Sequence, residues 1–243
     1  MATAPRIKAP RKVDYPTGDG KPMAETELHL WVAINLIQIL ANRYATDPMV
    51  YVGANLLMFY EEGNKRKHLS PDIFVVRGVD KLPPRENYLI WEEGKGPDVV
   101  IEVTSKSTKD EDEVGKRQLY QNVLKVPEYF QFDPTEDYLR PSLKGAKLRN
   151  GVYHPIAAIN GRLPSEQLGL HLEREGTALR LYDPAIGERL LTPSERAEAE
   201  IARAAEESTR AAVASIRANS AEAENARLRR ELDELRRRLE GGS

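Results

Sequence analysis

Apolar residues spaced three or four positions apart predict a helix early in the chain, from Glu25 to about Asn42. Its apolar positions are Leu28, Val32, Leu36, Ile39 and Leu40. A second helix is predicted from Thr108 or Lys109 to Leu124. These two helical patterns bracket a run of shorter apolar segments.

The segments between and after these helices are short and rich in β-branched or aromatic residues, which is typical of strands. They are two strands within Val50–Tyr60, broken near Gly53, and single strands at Asp72–Arg77, Tyr88–Trp91, Val99–Thr104 and Tyr129–Phe132. From Tyr138 to Tyr182, alternating segments separated by glycines predict a β-meander at one edge. The order of elements predicts an α/β fold, with a mixed β-sheet flanked by helices.

The composition changes sharply at Pro193. After it, the segment Ser194–Glu240 is dominated by Ala, Glu, Arg and Leu and contains no Gly or Pro. Thr192 as N-cap, Pro193 at the first helical position and Glu195 at the third predict the start of a long helix. The predicted domains are a flexible basic arm at residues 1–20, an α/β domain at 21–191 and a C-terminal helix at 192–243.

The last part of this helix carries leucines at alternating spacings of four and three, which is typical of a coiled coil. The leucines are Leu228, Leu232, Leu235 and Leu239. In the same frame Asn225 takes a core position, where asparagine favours two strands. Charged residues beside this seam would pair between parallel helices, Glu224 with Arg229 and Glu231 with Arg236. We expect a homodimeric coiled coil; a single helix held by its own Glu–Arg pairs is the alternative.

Charge and composition exclude several kinds of protein. The net charge of −2 gives no global basic field for coating nucleic acid, although a locally basic cleft remains compatible. The absence of cysteine excludes disulfides, thiolate metal sites and thiol nucleophiles. Residues 1–12 are basic but lack the apolar region of a secretory signal, and no apolar stretch approaches a membrane span. We therefore expect a cytoplasmic protein without a membrane partner.

Two carboxylates stand in strands whose other residues are those of a buried core. Asp72 opens the run PDIFVV, and Glu102 lies in the run PDVVIEVTS. Burying a carboxylate is costly unless it is paired or binds a metal. Because Ile101 and Val103 turn to one face, Glu102 turns to the other, within a cation's reach of Asp72. Two carboxylates with a backbone carbonyl and water suit Mg²⁺ or Mn²⁺. Asp98, about 13 Å further along the strand, is interpreted as a strand-start cap.

Cleavage of a phosphodiester bond also needs a positive charge near the reacting phosphate. Lys116, in the second predicted helix, is the first candidate and Lys106 is the second. Lys116 shares a helix face with Asp112 and Tyr120. An exposed Asp–Lys pair is therefore the alternative interpretation, and periodicity alone favours it.

Three segments give the chain a resemblance to a known family. They are KHLSPDIFVVRG, YLIWEEGKGPDVVIEVTSKSTKDEDEVGKRQLYQ and VPEYFQFDP. Together they resemble the Uma-type (Uma two) restriction endonuclease family of the PD-(D/E)XK nuclease superfamily, over about Asp14 to Leu181. The resemblance implies a mixed sheet flanked by helices, in agreement with the strand pattern, and a Mg²⁺-dependent endonuclease whose nucleic acid is expected to be DNA.

The resemblance also implies roles for individual residues. Asp72 and Glu102 would be the acidic metal ligands, and the carbonyl of Val103 would be the third ligand. The superfamily's lysine, two residues after the glutamate, is Thr104 in this chain. Related families place that lysine on the following helix, where Lys116 matches the position.

An acidic residue on the first helix is a further feature of the superfamily. Glu25 and Glu27 both qualify, with His29 one turn along from Glu25, and Glu25 is slightly favoured. For either glutamate the alternative is a polar helix face near the positive end of the helix, where a negative charge is stabilising.

Two functions remain to be distinguished. The first is a metal-dependent endonuclease with Asp72, Glu102, Lys116 and Glu25 in its catalytic site. The second is a catalytically inactive module of the same fold, which uses its coiled coil to dimerise or to recruit a partner. Thr104 at the usual lysine position and the acidic charge balance favour the second.

Overall fold

The computed structural model describes residues 13–18, 20, 26–104 and 115–240, with side chains up to residue 237. In chain order the elements are α1 (Glu27–Arg43), β1 (Val50–Gly53), β2 (Met58–Phe59), β3 (His68–Leu69), β4 (Ile73–Arg77), β5 (Tyr88–Leu89), α2 (Ile90–Glu93), β6 (Val99–Val103), α3 (Arg117–Leu119), β7 (Glu128–Phe132), β8 (Leu143–Arg149), β9 (Val152–Pro155), β10 (Leu163–Ser165), β11 (Leu170–Glu175), β12 (Ala178–Asp183), β13 (Glu188–Arg189) and α4 (Pro193–Glu240). A π-helical turn at Tyr120–Leu124 continues α3, so residues 115–124 form one helical segment.

Six strands form the central sheet, in the order β1-β4-β6-β7-β8-β9. Strands β6 and β7 are parallel, whereas the other neighbours are antiparallel. The predicted mixed sheet flanked by helices is therefore confirmed. The segment predicted as one edge meander is divided between two sheets: β8 and β9 extend the central sheet, and β10 to β13 form a separate four-stranded sheet.

The predicted strand Tyr88–Trp91 is correct only for its first two residues. Tyr88 and Leu89 pair with β2 in a small three-stranded sheet, but Ile90 begins the short helix α2. Gly94 ends that helix in the left-handed conformation, and its N–H donates to the carbonyl of Ile90. Because glycine adopts this conformation without strain, it closes a helical turn where the apolar pattern predicted continued strand.

Both faces of the central sheet are buried. Ile101 and Val103 pack on the face covered by α1 and the four-stranded sheet. Phe74 and Val100 pack on the opposite face, together with residues of the helical segment 115–124 and of the small sheet. Strands buried on both sides read as continuous apolar runs, which explains the composition of β4 and β6. Glu102 alternates with Ile101 and Val103, so its carboxylate projects into the second of these packed faces.

Part of the arm predicted as flexible contacts the domain. The ring of Tyr15 lies 4.8 Å from that of Phe59 and 5.4 Å from that of Trp91, between ring centres. Its hydroxyl accepts a hydrogen bond from the N–H of Gly63 at 2.7 Å. Residues 1–12 of the arm lie outside the described residues.

The chain forms two compact units, Met1–Thr192 and Pro193–Ser243. The second consists of α4, a helix of 48 residues that begins at Pro193, as the start signal predicted. Its leucine seam is exposed, with Leu232 at 56 % and Leu235 at 57 %. Arg227 donates to Glu231 at 3.0 Å within the helix. Over the ranges that the structure describes, no helix has the length and apolarity to cross a membrane.

Candidate active site

Asp72 immediately precedes the first residue of β4, beside the last residues of β6. The antiparallel register pairs Ile73 with Ile101, which brings Asp72 opposite Glu102. The Asp72 carboxylate accepts a hydrogen bond from the N–H of Val103 at 2.8 Å. The side chain of Asp72 therefore pairs with a main-chain N–H at the point where the hydrogen bonds between β4 and β6 end. This contact fixes the position of the carboxylate against β6.

The carboxylate of Glu102 is fully buried and is bound by two side chains of the helical segment 115–124. The Tyr120 hydroxyl donates to Glu102 Oε1 at 2.5 Å, and Lys116 Nζ donates to Oε2 at 2.9 Å. Lys116 and Tyr120 are four residues apart, so they project from one face of the segment toward the sheet. The structure thus brings Asp72, Glu102 and Lys116 together, whereas Asp112 of the same predicted face lies outside the described residues.

His29 of α1 also contacts Asp72. Its Nε2 lies 3.4 Å from Asp72 Oδ2. His29 continues the buried face of α1, because it precedes Val32, Ala33 and Leu36 at helical spacing. The histidine is thereby held against the start of β4, where it contacts the Asp72 carboxylate.

The groups around the site shift the pKa values of Asp72 and Tyr120. Burial opposes ionisation of Asp72, but a hydrogen bond with His29, the positive charge of Lys116 and a hydrogen bond with Glu102 outweigh it and lower the pKa of Asp72. Burial and the adjacent negative charge of Glu102 raise the pKa of Tyr120 well above 10. Tyr120 therefore keeps its proton and remains a hydrogen-bond donor to Glu102.

The other residues predicted from the sequence occupy different places. Glu25 and Lys106 lie outside the described residues, and Glu27 is on the exposed face of α1, where it accepts a hydrogen bond from Trp31. Thr104 is buried, and its N–H donates to the carbonyl of Phe132 at 2.7 Å. Residue 104 therefore brings no charge to the site, and the positive charge beside Glu102 comes from Lys116 of the helical segment.

Asp98 has the structural role that its distance from Glu102 predicted. Its carboxylate accepts a hydrogen bond from the N–H of Arg77 at 2.7 Å and pairs with Lys95 Nζ at 2.9 Å. These contacts tie the start of β6 to the end of β4. Asp98 therefore holds the two site-bearing strands in register from the end opposite the site.

The donor set at the site fits a divalent cation that prefers oxygen. Asp72 and Glu102 are buried and lie opposite each other on adjacent strands, and a pair of buried carboxylates is stabilised by positive charge beside it. Among residues 26–104 and 115–237, no three Asp, Glu, His or Cys side chains converge on one metal position. A metal here would rely on two carboxylates, the main chain near Val103 and water, which is the coordination that Mg²⁺ accepts.

Residues 4–172 match the family described as Uma2, putative restriction endonuclease. The chain belongs to this family. The Uma2 match includes every side chain of the acidic site: His29, Asp72, Glu102, Lys116 and Tyr120. Membership in Uma2 supports a nuclease function, and restriction endonuclease-like proteins usually depend on a divalent metal.

Among solved structures, this Uma2 chain is similar to the crystal structure of a putative nuclease belonging to DUF820 from Anabaena variabilis. The two sequences are 16 % identical, and the similarity covers 67 % of this chain and 90 % of that one, with a TM-score of 0.45. No curated protein matches the chain significantly.

Sequence reasoning missed the contact of His29 with Asp72. The signal was a polar residue that continues the apolar stripe of a helix, at a position where a leucine or valine would be ordinary. Such a residue must be buried with a polar partner. The identity of the partner depends on how α1 lies across the sheet, which local periodicity does not report.

Proposed function

We propose that the protein is a Mg²⁺-dependent endonuclease that hydrolyses phosphodiester bonds in DNA. The observation that carries this proposal is that two buried carboxylates from adjacent strands converge with one lysine. The Nζ of that lysine, Lys116, lies 2.9 Å from Glu102 Oε2. The family supports the nuclease function and directs the proposal to DNA.

In this proposal Asp72 and Glu102 hold the metal, with the carbonyl of Val103 as a third ligand. A divalent ion supplies a Lewis acid that polarises the phosphodiester and favours attack by water. The N–H of Val103 and the hydroxyl of Tyr120 orient the two carboxylates, since each donates to one of them. Oriented donors of this kind hold metal ligands in the geometry that the metal requires.

Lys116 provides positive charge at the phosphate. Its side chain is 17 % exposed, so Lys116 is accessible from solvent while its ammonium group binds the buried Glu102. Charge that develops on the phosphate during hydrolysis is stabilised by a cation held at this place. His29 keeps Asp72 ionised from the opposite side and is therefore a positioning residue.

The test of this proposal is cleavage of supercoiled plasmid DNA by the full chain. We expect conversion to nicked and then linear DNA in Mg²⁺, and no conversion when EDTA removes the metal. Equal cleavage with and without EDTA would contradict a metal-dependent mechanism. No cleavage in either Mg²⁺ or Mn²⁺ would instead favour the second candidate, an inactive assembly module, for which the uncharged Thr104 is the supporting observation.

We also propose that the protein is a homodimer through α4. The seam leucines of the helix are about half exposed, and Leu228, Leu232 and Leu235 follow the four-three spacing that a second helix would bury. Two subunits that each cut one strand would together break a duplex. Glu231 already pairs with Arg227 within its own helix, which competes with pairing between helices, but such exposed pairs are weak.

Charges introduced into the leucine seam of α4 test the dimer. Leu232→Glu together with Leu235→Glu places like charges in the seam, and we expect sedimentation analysis to show a monomer where the wild type is a dimer. The matched control is Arg230→Glu with Arg237→Glu, which adds two glutamates on the side of the helix away from the seam. A dimer that survives the leucine changes, or dissociates equally in the control, would show that this seam is not the interface.

A further inference from the structure

A cavity of about 560 Å³ lies along β8. Its lining includes Arg117, which follows Lys116 in the chain, and Gln131, the strand partner of Glu102. Its walls are mostly apolar and include Tyr129, Ile156 and Leu163. Polar groups enter it at Gln131 of β7, at Lys144 of β8 and at Arg117 of the helical segment. The cavity volume is in the range of pockets that hold small organic groups.

Gln131 is an unusual residue for its position. It stands in a strand whose residues are all buried, and it is itself 7 % exposed. Its Nε2 has no hydrogen-bond partner in the part of the chain that the structure describes. Leaving a buried donor unpaired costs stability, so a residue of this kind needs an explanation outside the packing of the free protein.

The register places Gln131 directly beside the proposed metal ligands. In the parallel pair of β6 and β7, Gln131 is the partner of Glu102, so both side chains project from the same face of the sheet. On the other side Gln131 is paired with Lys144 of β8. A group that contacts Gln131 is therefore one strand away from the carboxylate of Glu102.

Positive charge flanks the unpaired amide. Lys144 makes no ion pair with the residues in the described ranges. Arg117 follows Lys116 in the chain, and its guanidinium lies 5.5 Å from the ring centre of Tyr153. An anionic group attached to the occupant of the cavity would meet these cations at its edge.

We propose that the cavity binds one unstacked nucleotide of the substrate, adjacent to the phosphodiester that is cleaved. The base would lie against the apolar walls and accept a hydrogen bond from Gln131 Nε2, while its phosphate lies near Lys144 and Arg117. A bare phosphate does not account for the apolar walls, and an apolar ligand does not account for the unpaired amide. This inference rests on the proposed nuclease function and adds the class of substrate, DNA with an unpaired nucleotide.

An unpaired nucleotide enters such a cavity at lower cost than a paired one, because no base pair has to be opened. We therefore expect the protein to bind a duplex with one bulged adenine about tenfold more tightly than the same duplex fully paired. Fluorescence anisotropy of the two labelled duplexes in EDTA measures this preference without cleavage. Equal affinity of the wild type for both duplexes would overturn the inference.

Gln131→Leu tests whether the amide of Gln131 produces the preference for the bulged duplex. The leucine keeps most of the volume and removes the amide, so the preference for the bulge should fall to about twofold or less while affinity for the paired duplex is kept. The control Gln118→Leu changes an exposed glutamine of the helical segment and should keep the full preference. A Gln131→Leu variant that retains the preference contradicts the assignment.

The thermal stability of the same variant separates binding from a structural role. Because Gln131→Leu removes an unpaired buried donor, its Tm should equal or exceed that of the wild type. A lower Tm, with equal loss of affinity for both duplexes, would show that Gln131 serves packing and would overturn the inference. Plasmid cleavage in Mg²⁺ is measured separately. Cleavage without a preference for the bulge refutes only the binding of a nucleotide in the cavity. A preference for the bulge without cleavage refutes only the catalytic proposal.

Discussion

Glu102→Gln is expected to reduce Mg²⁺-dependent cleavage by about a thousandfold or more, which corresponds to roughly 4 kcal/mol of lost transition-state stabilisation. Glutamine has nearly the same shape as glutamate, and its oxygen can still accept a hydrogen bond from Tyr120. It lacks the negative charge that a divalent ion requires at this position. The rate of plasmid nicking at saturating Mg²⁺, compared between variant and wild type, measures the effect.

Asp98→Asn is the matched control for this change. Asp98 is also a buried acidic residue, at the other end of β6, but its contacts are to the N–H of Arg77 and to Lys95. Asparagine can keep the bond to Arg77, so we expect a loss of stability with little change in cleavage rate. Cleavage by Glu102→Gln at the wild-type rate would show that the carboxylate does not serve the reaction.

Lys116→Met is expected to impair both cleavage and folding. Removing a cation that faces developing charge costs about a hundredfold or more in rate. The same change leaves the fully buried Glu102 without its ammonium partner, and breaking a buried ion pair costs about 3 kcal/mol of unfolding free energy. Urea unfolding and plasmid nicking measure the two losses separately.

Two comparisons identify the origin of the stability loss. Lys147→Met removes the lysine from a pair with the exposed Glu166, so it should lower the unfolding free energy far less than Lys116→Met does. The double variant Lys116→Met with Glu102→Gln removes both charges, so it should be more stable than Lys116→Met alone. A double variant that is less stable than either single variant would contradict a direct interaction between the two residues.

Much of the central sheet follows from local pattern. The runs around Asp72 and Glu102 have the length of a strand and are rich in valine and isoleucine. Their strand structure could therefore be predicted without knowledge of the rest of the fold. The alternation of side chains also placed Ile101 and Val103 on one face and Glu102 on the other. Helical spacing put Lys116 and Tyr120 on one face, which is the face that contacts Glu102.

The rest of the site depends on contacts between distant segments. Gln131 lies beside Glu102 only because β6 and β7 pair in parallel at one particular register. His29 reaches Asp72 only because α1 crosses the sheet at that end. Neither arrangement leaves a periodic signal in the sequence. The division of the predicted meander into two sheets has the same origin, since β10 to β12 pack on the core that α1 shares rather than beside β9.

The central claim is that Asp72 and Glu102 together bind a divalent metal ion. Crystals soaked in Mn²⁺, with anomalous diffraction recorded at the manganese edge, test it most directly. We expect an anomalous peak between the two carboxylates, with the carbonyl of Val103 among the ligands. The absence of a peak there in a well-soaked crystal, with the ammonium group of Lys116 still on Glu102, would contradict the claim.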